Sequence, residues 1–102
     1  MTGNESGTGL TRVTVVTAPA CHFCEDALDV LTGLRTVYRL TVEEAAADSP
    51  AGQVLLRRHG TGMFPLVLVD GEFFSAGRLP RRKLGRLLAA RATAGHAVAG
   101  VG

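Results

Sequence analysis

The sequence predicts an α/β domain built on a four-stranded mixed sheet, with elements in the order β-α-β-α-β-β-α. Three observations carry that expectation. Strand-like and helix-like runs alternate through the first two thirds of the chain, the pattern of a parallel βαβ unit. Asp70-Gly71 stands between two short β-prone runs and is the strongest short-range hairpin signal available, which makes the last two strands antiparallel. The two cysteines, Cys21 and Cys24, fall where the first strand-like run gives way to the first helix-like run.

Residues 12–17, rich in Val and Thr, form the first strand. Pro19 breaks the loop that follows. The first helix starts near Cys21 or His22 and ends near Thr32. Cys24, Ala27, Leu28 and Leu31 share one face, and Gly33 is placed as its left-handed cap. Residues 36–42 alternate, with Tyr38, Leu40 and Val42 on one side, and read as the second strand. Asp48-Ser49-Pro50 is a helix-start signature with Pro just inside the helix, and His59-Gly60 ends that helix. Val54, Leu55 and the stem of Arg58 can face inward. Residues 66–69 are continuously apolar and make a strand buried on both faces. Residues 72–75 return as the fourth strand, with either Phe73 or Phe74 turned to the core. A last helix runs from Leu79 to about Thr93, starting near Pro80, with Leu84, Leu87 and Leu88 as its inner stripe. The first βαβ unit is expected to cross over right-handedly.

The chain of 102 residues suits one domain. Its organisation reads as a flexible arm over 1–10, the domain over 11–93 and a frayed tail over 94–102. No run of 18 apolar residues is present, and the first nine residues lack the basic and apolar regions of a secretory signal. A cytoplasmic protein with no membrane partner is expected. The net charge of +2 is too small to argue for nucleic acid. Five of the eleven basic residues nevertheless fall between Arg81 and Arg91. They read either as a solvated helix face or as a docking patch for an acidic partner or a carboxylate-bearing thiol.

The cysteine spacing carries the chemistry. Two thiols three residues apart can close a small disulfide ring when the second lies in the first helical turn. The helix N-terminus then aims unpaired N–H groups at the first sulfur and favours its thiolate. A strand, a C-x-x-C and a helix in that order read as a dithiol redox site. A tetrahedral zinc site needs about four ligands, and only His22, His59 and His96 remain to supply them. A metal cluster shared between two chains is a further reading of the same pair. His22 between the cysteines would support a thiolate when protonated, with Glu25 and Asp26 opposing it, or is simply an exposed loop residue.

These features resemble the thioredoxin superfamily, and glutaredoxins within it. The resemblance rests on strand-loop-Cys21-His22-Phe23-Cys24-helix, on Met63-Phe64-Pro65 before the third strand, and on the stretch from Val69 to Gly77 before the last helix. It covers about residues 10–91. It implies a thioredoxin-like fold with helices on both faces of the sheet, and a cis peptide bond before Pro65 close to the cysteines. It implies a dithiol-disulfide oxidoreductase in which Cys21 is the nucleophile and Cys24 the resolving thiol. His22, Phe23, Phe64, Pro65, Gly77 and Arg78 would contact substrate. No bound cofactor or metal is implied. The partners would be a disulfide-bearing protein or small-thiol adducts, with a low-molecular-weight thiol or a reductase as electron donor, and the protein a monomer. The middle pair is His22-Phe23 where glutaredoxins commonly carry Pro-Tyr, and Ala76-Gly77 replaces a usual Gly-Gly. The donor stays open among glutathione, another small thiol and a flavin reductase. The competing class is a non-enzymatic module of the same fold: a redox sensor, a metal or cluster carrier, or an interaction domain.

Overall fold

The computed structural model describes residues 10–60 and 62–101, with side chains through residue 93. Its elements are β1 (Thr11–Thr17), α1 (His22–Leu34), β2 (Leu40–Ala46), α2 (Pro50–His59), β3 (Leu66–Val69), β4 (Glu72–Ala76) and α3 (Arg81–Val101). The strands lie in the order β2-β1-β3-β4. β1 and β2 are parallel, and the other two pairings are antiparallel. The mixed four-stranded sheet and the element order are those the sequence predicts.

Alternation along β1 divides the core. Val13 and Val15 face one way and pack with Ala27 and Leu31 of α1 and Leu84 and Leu88 of α3. Val16 faces the other way and joins Leu66 and Leu68, on which Leu55 and Leu56 of α2 pack. The helices therefore cover both faces. Each fully buried leucine contributes roughly 1.5–3 kcal/mol of hydrophobic stabilisation, so these contacts, more than helix propensity, hold α1 and α3 on the sheet.

Four local expectations are corrected. α1 continues through Gly33 to Leu34, and Gly33 is not a left-handed cap. The helix is closed instead by the Arg35 N–H donating to the Leu31 carbonyl at 3.0 Å and by the Thr36 N–H donating to the Gly33 carbonyl at 3.1 Å. That closure displaces the second strand. The Val37 and Tyr38 N–H groups are spent on the Leu34 carbonyl, so residues 36–38 are unavailable to the ladder; the Arg39 carbonyl accepts the Thr11 N–H at 3.0 Å and pairing begins with Leu40 opposite Thr11. Residues 43–46, weak strand formers, are extended because β1 supplies their partners.

In α2 the inward face is Gly52, Leu55, Leu56 and His59, whereas Val54 and Arg58 are exposed. Gly52 sets this rotation. A Cβ there would stand 2.0 Å from the Ala46 carbonyl oxygen, so helix and strand meet backbone to backbone. The last helix begins at Arg81, directly after Pro80 where a start is expected, but runs to Val101, past the expected end near Thr93 and through the expected tail from 94. That stretch holds no proline, and its alanines favour the helix that Gly95 and Gly100 weaken without breaking. Of the expected N-terminal arm, residues 1–9 lie outside the described residues.

The hairpin turns through Asp70 and Gly71, with φ of 52° and 84°. Positive φ at both positions is what a tight turn between twisted strands requires. β4 carries a bulge opposite Val67 and Leu68, so Phe73 pairs with Leu68 and Ser75 with Val67. Phe74 packs on the larger cluster, and Phe73 is exposed. At this end of the sheet Asp70 accepts the Arg12 N–H at 2.9 Å and pairs with Arg91, which also donates to the Thr11 hydroxyl at 3.2 Å. Burial raises the Asp70 carboxyl, but the Arg12 N–H and the Arg91 guanidinium outweigh it and hold the group below its ordinary 3.8.

Candidate active site

The site forms at the opposite end of the sheet, where β1 ends. Beyond Thr17 the chain must reverse into α1 within four residues. Ala20 takes the left-handed conformation (φ 51°), which costs a non-glycine residue about 1–2 kcal/mol. Cys21 follows in an extended conformation as the N-cap of α1. Its Sγ accepts the Cys24 N–H at 3.1 Å, and its carbonyl accepts the Glu25 N–H at 3.2 Å. A sulfur thus fills the place that a serine or aspartate oxygen commonly takes, facing the positive end of the helix. Cys21 and Cys24 are joined as a disulfide, with Cα atoms 5.2 Å apart. Cys21 is half-buried, whereas Cys24 is 3% exposed and heads the inner stripe of α1.

His22 and Phe23 stand outward between the cysteines, Phe23 half exposed. Of the two acids expected to oppose a thiolate, Glu25 is exposed. Asp26 accepts Arg81 Nη2 at 2.7 Å, so α3 supplies the charge that offsets it. The second oxygen of Asp26 is buried and accepts no hydrogen bond from the described residues. Below the loop, the Thr17 hydroxyl donates to Glu44 at 3.1 Å.

The other wall comes from the start of β3. Val16 pairs with Leu66, so Thr17 and Pro65 stand at the same end of the sheet. The Phe64–Pro65 peptide bond is cis, and Pro65 is buried. The Phe64 side chain packs on the Val16, Leu66 and Leu68 cluster. The Pro65 carbonyl accepts the Gly77 N–H at 3.0 Å. Gly77 has φ 89°, and a Cβ on it would lie 3.0 Å from Cε of Met63, an exposed side chain lying over the turn. Arg78 is exposed immediately beyond. Secondary structure therefore brings His22, Phe23, Pro65, Gly77 and Arg78 to the end of the sheet that holds the cysteines. Three residues here are not among the expected site residues: Met63, Ala20 and the Arg81 partner of Asp26. Only Met63 carried a signal, as part of the segment before β3.

No protein-family model matches the sequence, and no curated protein does. Solved structures match. An uncharacterized thioredoxin-like protein from Clostridium perfringens superposes with a TM-score of 0.64 at 12% identity, over 85% of this chain and 75% of that one. A thioredoxin from Thermus thermophilus superposes with a TM-score of 0.54 at 24% identity, over 89% of this chain and 80% of that one. The chain has a thioredoxin fold. Within this thioredoxin fold, the C-x-x-C heads α1 at the end of the sheet where the cis-proline step also lies. Among the described residues no three His, Cys, Asp or Glu side chains gather into a metal-binding group. No helix among them is long and apolar enough to cross a membrane.

Proposed function

We propose that this protein is a thiol-disulfide oxidoreductase of glutaredoxin type. The observation that carries the reading is the asymmetry of the cysteine pair. Cys21 is half-buried and caps α1 with its sulfur facing the helix N-terminus, while Cys24 is buried one turn in. In the reduced protein the Cys24 N–H and the helix dipole favour a thiolate on Cys21 over one on Cys24. The Cys21 thiolate attacks a substrate disulfide, forms a mixed disulfide and expels one substrate thiolate, which takes up a proton. Cys24 then loses its proton and attacks the Cys21 sulfur, closing the ring and releasing the second substrate thiol. Two electrons and two protons pass from the dithiol to the substrate. An external thiol or a reductase dithiol returns them.

A lower thiol pKa does little for attack rate, because nucleophilicity falls with a slope of about 0.5 as the thiolate fraction rises. It makes Cys21 a better leaving group and stabilises the reduced form, so its main effect is on redox poise. Substrates are disulfide-bearing proteins or small-thiol adducts, met by a monomer in the cytoplasm, where a lone dithiol serves catalysis better than structure.

Turnover decides the matter. The oxidised protein is offered glutathione, another small thiol and a flavin-dependent dithiol reductase in turn, with a protein disulfide as substrate. Sustained reduction with a small-thiol donor is expected. One equivalent of substrate consumed with no further turnover under any donor would leave a non-enzymatic redox module. Turnover only with the flavin enzyme would replace the glutaredoxin type by a thioredoxin one.

A further inference from the structure

Around the start of α3 lies a cavity of about 400 Å³ lined by Arg78, Arg81, Arg82, Lys83 and Arg86, with Leu79 and Pro80 between them. Its charge is largely unanswered within the fold. Arg81 pairs with Asp26, and Lys83 sits 5.1 Å above the Phe74 ring. Arg78, Arg82 and Arg86 have no carboxylate within 4 Å among the described residues. The first turn of α3 contains no acid. Cations there oppose the helix macrodipole, and Arg82 and Arg86, four residues apart, repel one another. The fold derives no stability from this arrangement, and an anion from outside would offset its cost.

We infer that this cavity docks an acidic segment of a disulfide-bearing protein and so selects disulfides with acidic flanks for Cys21. The inference rests on the oxidoreductase reading for its consequence, though not for the binding itself. Placement supports it. Gly77, immediately before Arg78, bonds to Pro65, and Arg81 bonds to Asp26 two residues beyond Cys24, so both ends of the cavity adjoin the site. Spacing supports a peptide. Arg82 and Arg86 are separated by about 6 Å along the helix, and alternate side chains of an extended strand by roughly 6.7 Å. Two or three carboxylates at alternate positions would meet successive arginines. Such rim charges act on encounter and KM more than on the chemical step.

The test uses two peptide disulfides that differ only in flanking Glu or Gln, together with 3,3′-dithiodipropionate as a small dicarboxylate. The expected kcat/KM ratio, acidic over neutral, is about tenfold at low ionic strength, falling toward one in 0.5 M salt. In the double variant Arg82→Gln/Arg86→Gln the ratio should fall to about one. A ratio near one in the parent protein, or one that survives the double variant, overturns the inference. So does an equal preference for the small dicarboxylate. Binding is read separately by anisotropy of the labelled acidic peptide on Cys21→Ser/Cys24→Ser protein, which is expected to weaken at least tenfold when both arginines are replaced. If none of the disulfides is reduced, the oxidoreductase reading fails, and this binding measurement still decides the docking site.

Discussion

The two ends of the sheet differ in how completely their arginines are paired. At the hairpin end, Asp70 gathers the Arg12 N–H and Arg91, and Arg91 reaches Thr11, so β1, the turn and α3 are tied through one carboxylate. At the dithiol end, three arginines have no acid partner among the described residues, Asp26 keeps one buried oxygen without a donor, and Phe23 and Met63 are 50% and 58% exposed. A carboxylate pins α3 at each pole, through Arg91 at one and Arg81 at the other, and the contrast lies in the arginines left over, Arg78, Arg82 and Arg86. A chain whose net stability is of order 5–15 kcal/mol tolerates such an end because its core lies between the two poles.

The largest effect expected on this contrast is chemical. Cys21→Ser should reduce disulfide reduction to background. Cys24→Ser should still complete the first attack and accumulate a mixed disulfide, visible by mass spectrometry as protein plus one substrate thiol. With one equivalent of alkylating agent on the reduced protein, Cys21 should be labelled first, and preferential labelling of Cys24 would reverse the assigned roles. Arg91→Ala, at the other pole, should leave these outcomes as they are.

Next in size is Gly52→Ala. Its Cβ would meet the Ala46 carbonyl at 2.0 Å, a backbone atom with nowhere to go. A loss of about 3 kcal/mol is expected, read as a lower urea midpoint. An unchanged midpoint would show that α2 can slide off β2 and that the joint behind the active-site loop is soft.

Asp70→Asn should have a smaller, pH-dependent effect. The folded state holds this carboxyl below its ordinary 3.8, so the unfolded chain takes up the proton more readily. The stabilisation is complete above that value and is lost as pH falls below it through the folded value. An exposed pair of this kind is worth about 1 kcal/mol at most. The variant should therefore be slightly less stable near neutrality and equal to the parent in strong acid, with no change in dithiol turnover. A parallel offset at every pH would mean that the charge on Asp70 is not what ties the hairpin end.

Smallest in stability is Phe23→Ala, expected to stay within about 0.5 kcal/mol because half of the ring is already in water. Reduction of peptide disulfides with apolar flanks should slow through KM. A loss above about 1 kcal/mol would make Phe23 part of the core and narrow the contrast between the poles.

Much of this was legible because it is local. Cys21, Cys24, Ala27 and Leu31 announce a helix that starts at a sulfur, Ser49-Pro50 announces another, residues 66–69 a buried strand, and Asp70-Gly71 a turn whose φ values only such residues adopt readily. Each is written in a window of a few residues, where period and turn chemistry act directly. Other features depend on partners distant in the chain. Residues 43–46 are a strand because β1 lies beside them. Val54 faces out because Gly52 lets α2 meet Ala46 closely. The pairing of Asp26 with Arg81, 55 residues apart, leaves no periodic trace. The sequence by itself determined the dithiol, the order of elements and the apolar faces, since those follow from short-range geometry. Only the tertiary structure decided which arginines are neutralised and which are left without a carboxylate, because charge pairing depends on distances that exist only once α1 and α3 are packed on the same face of the sheet.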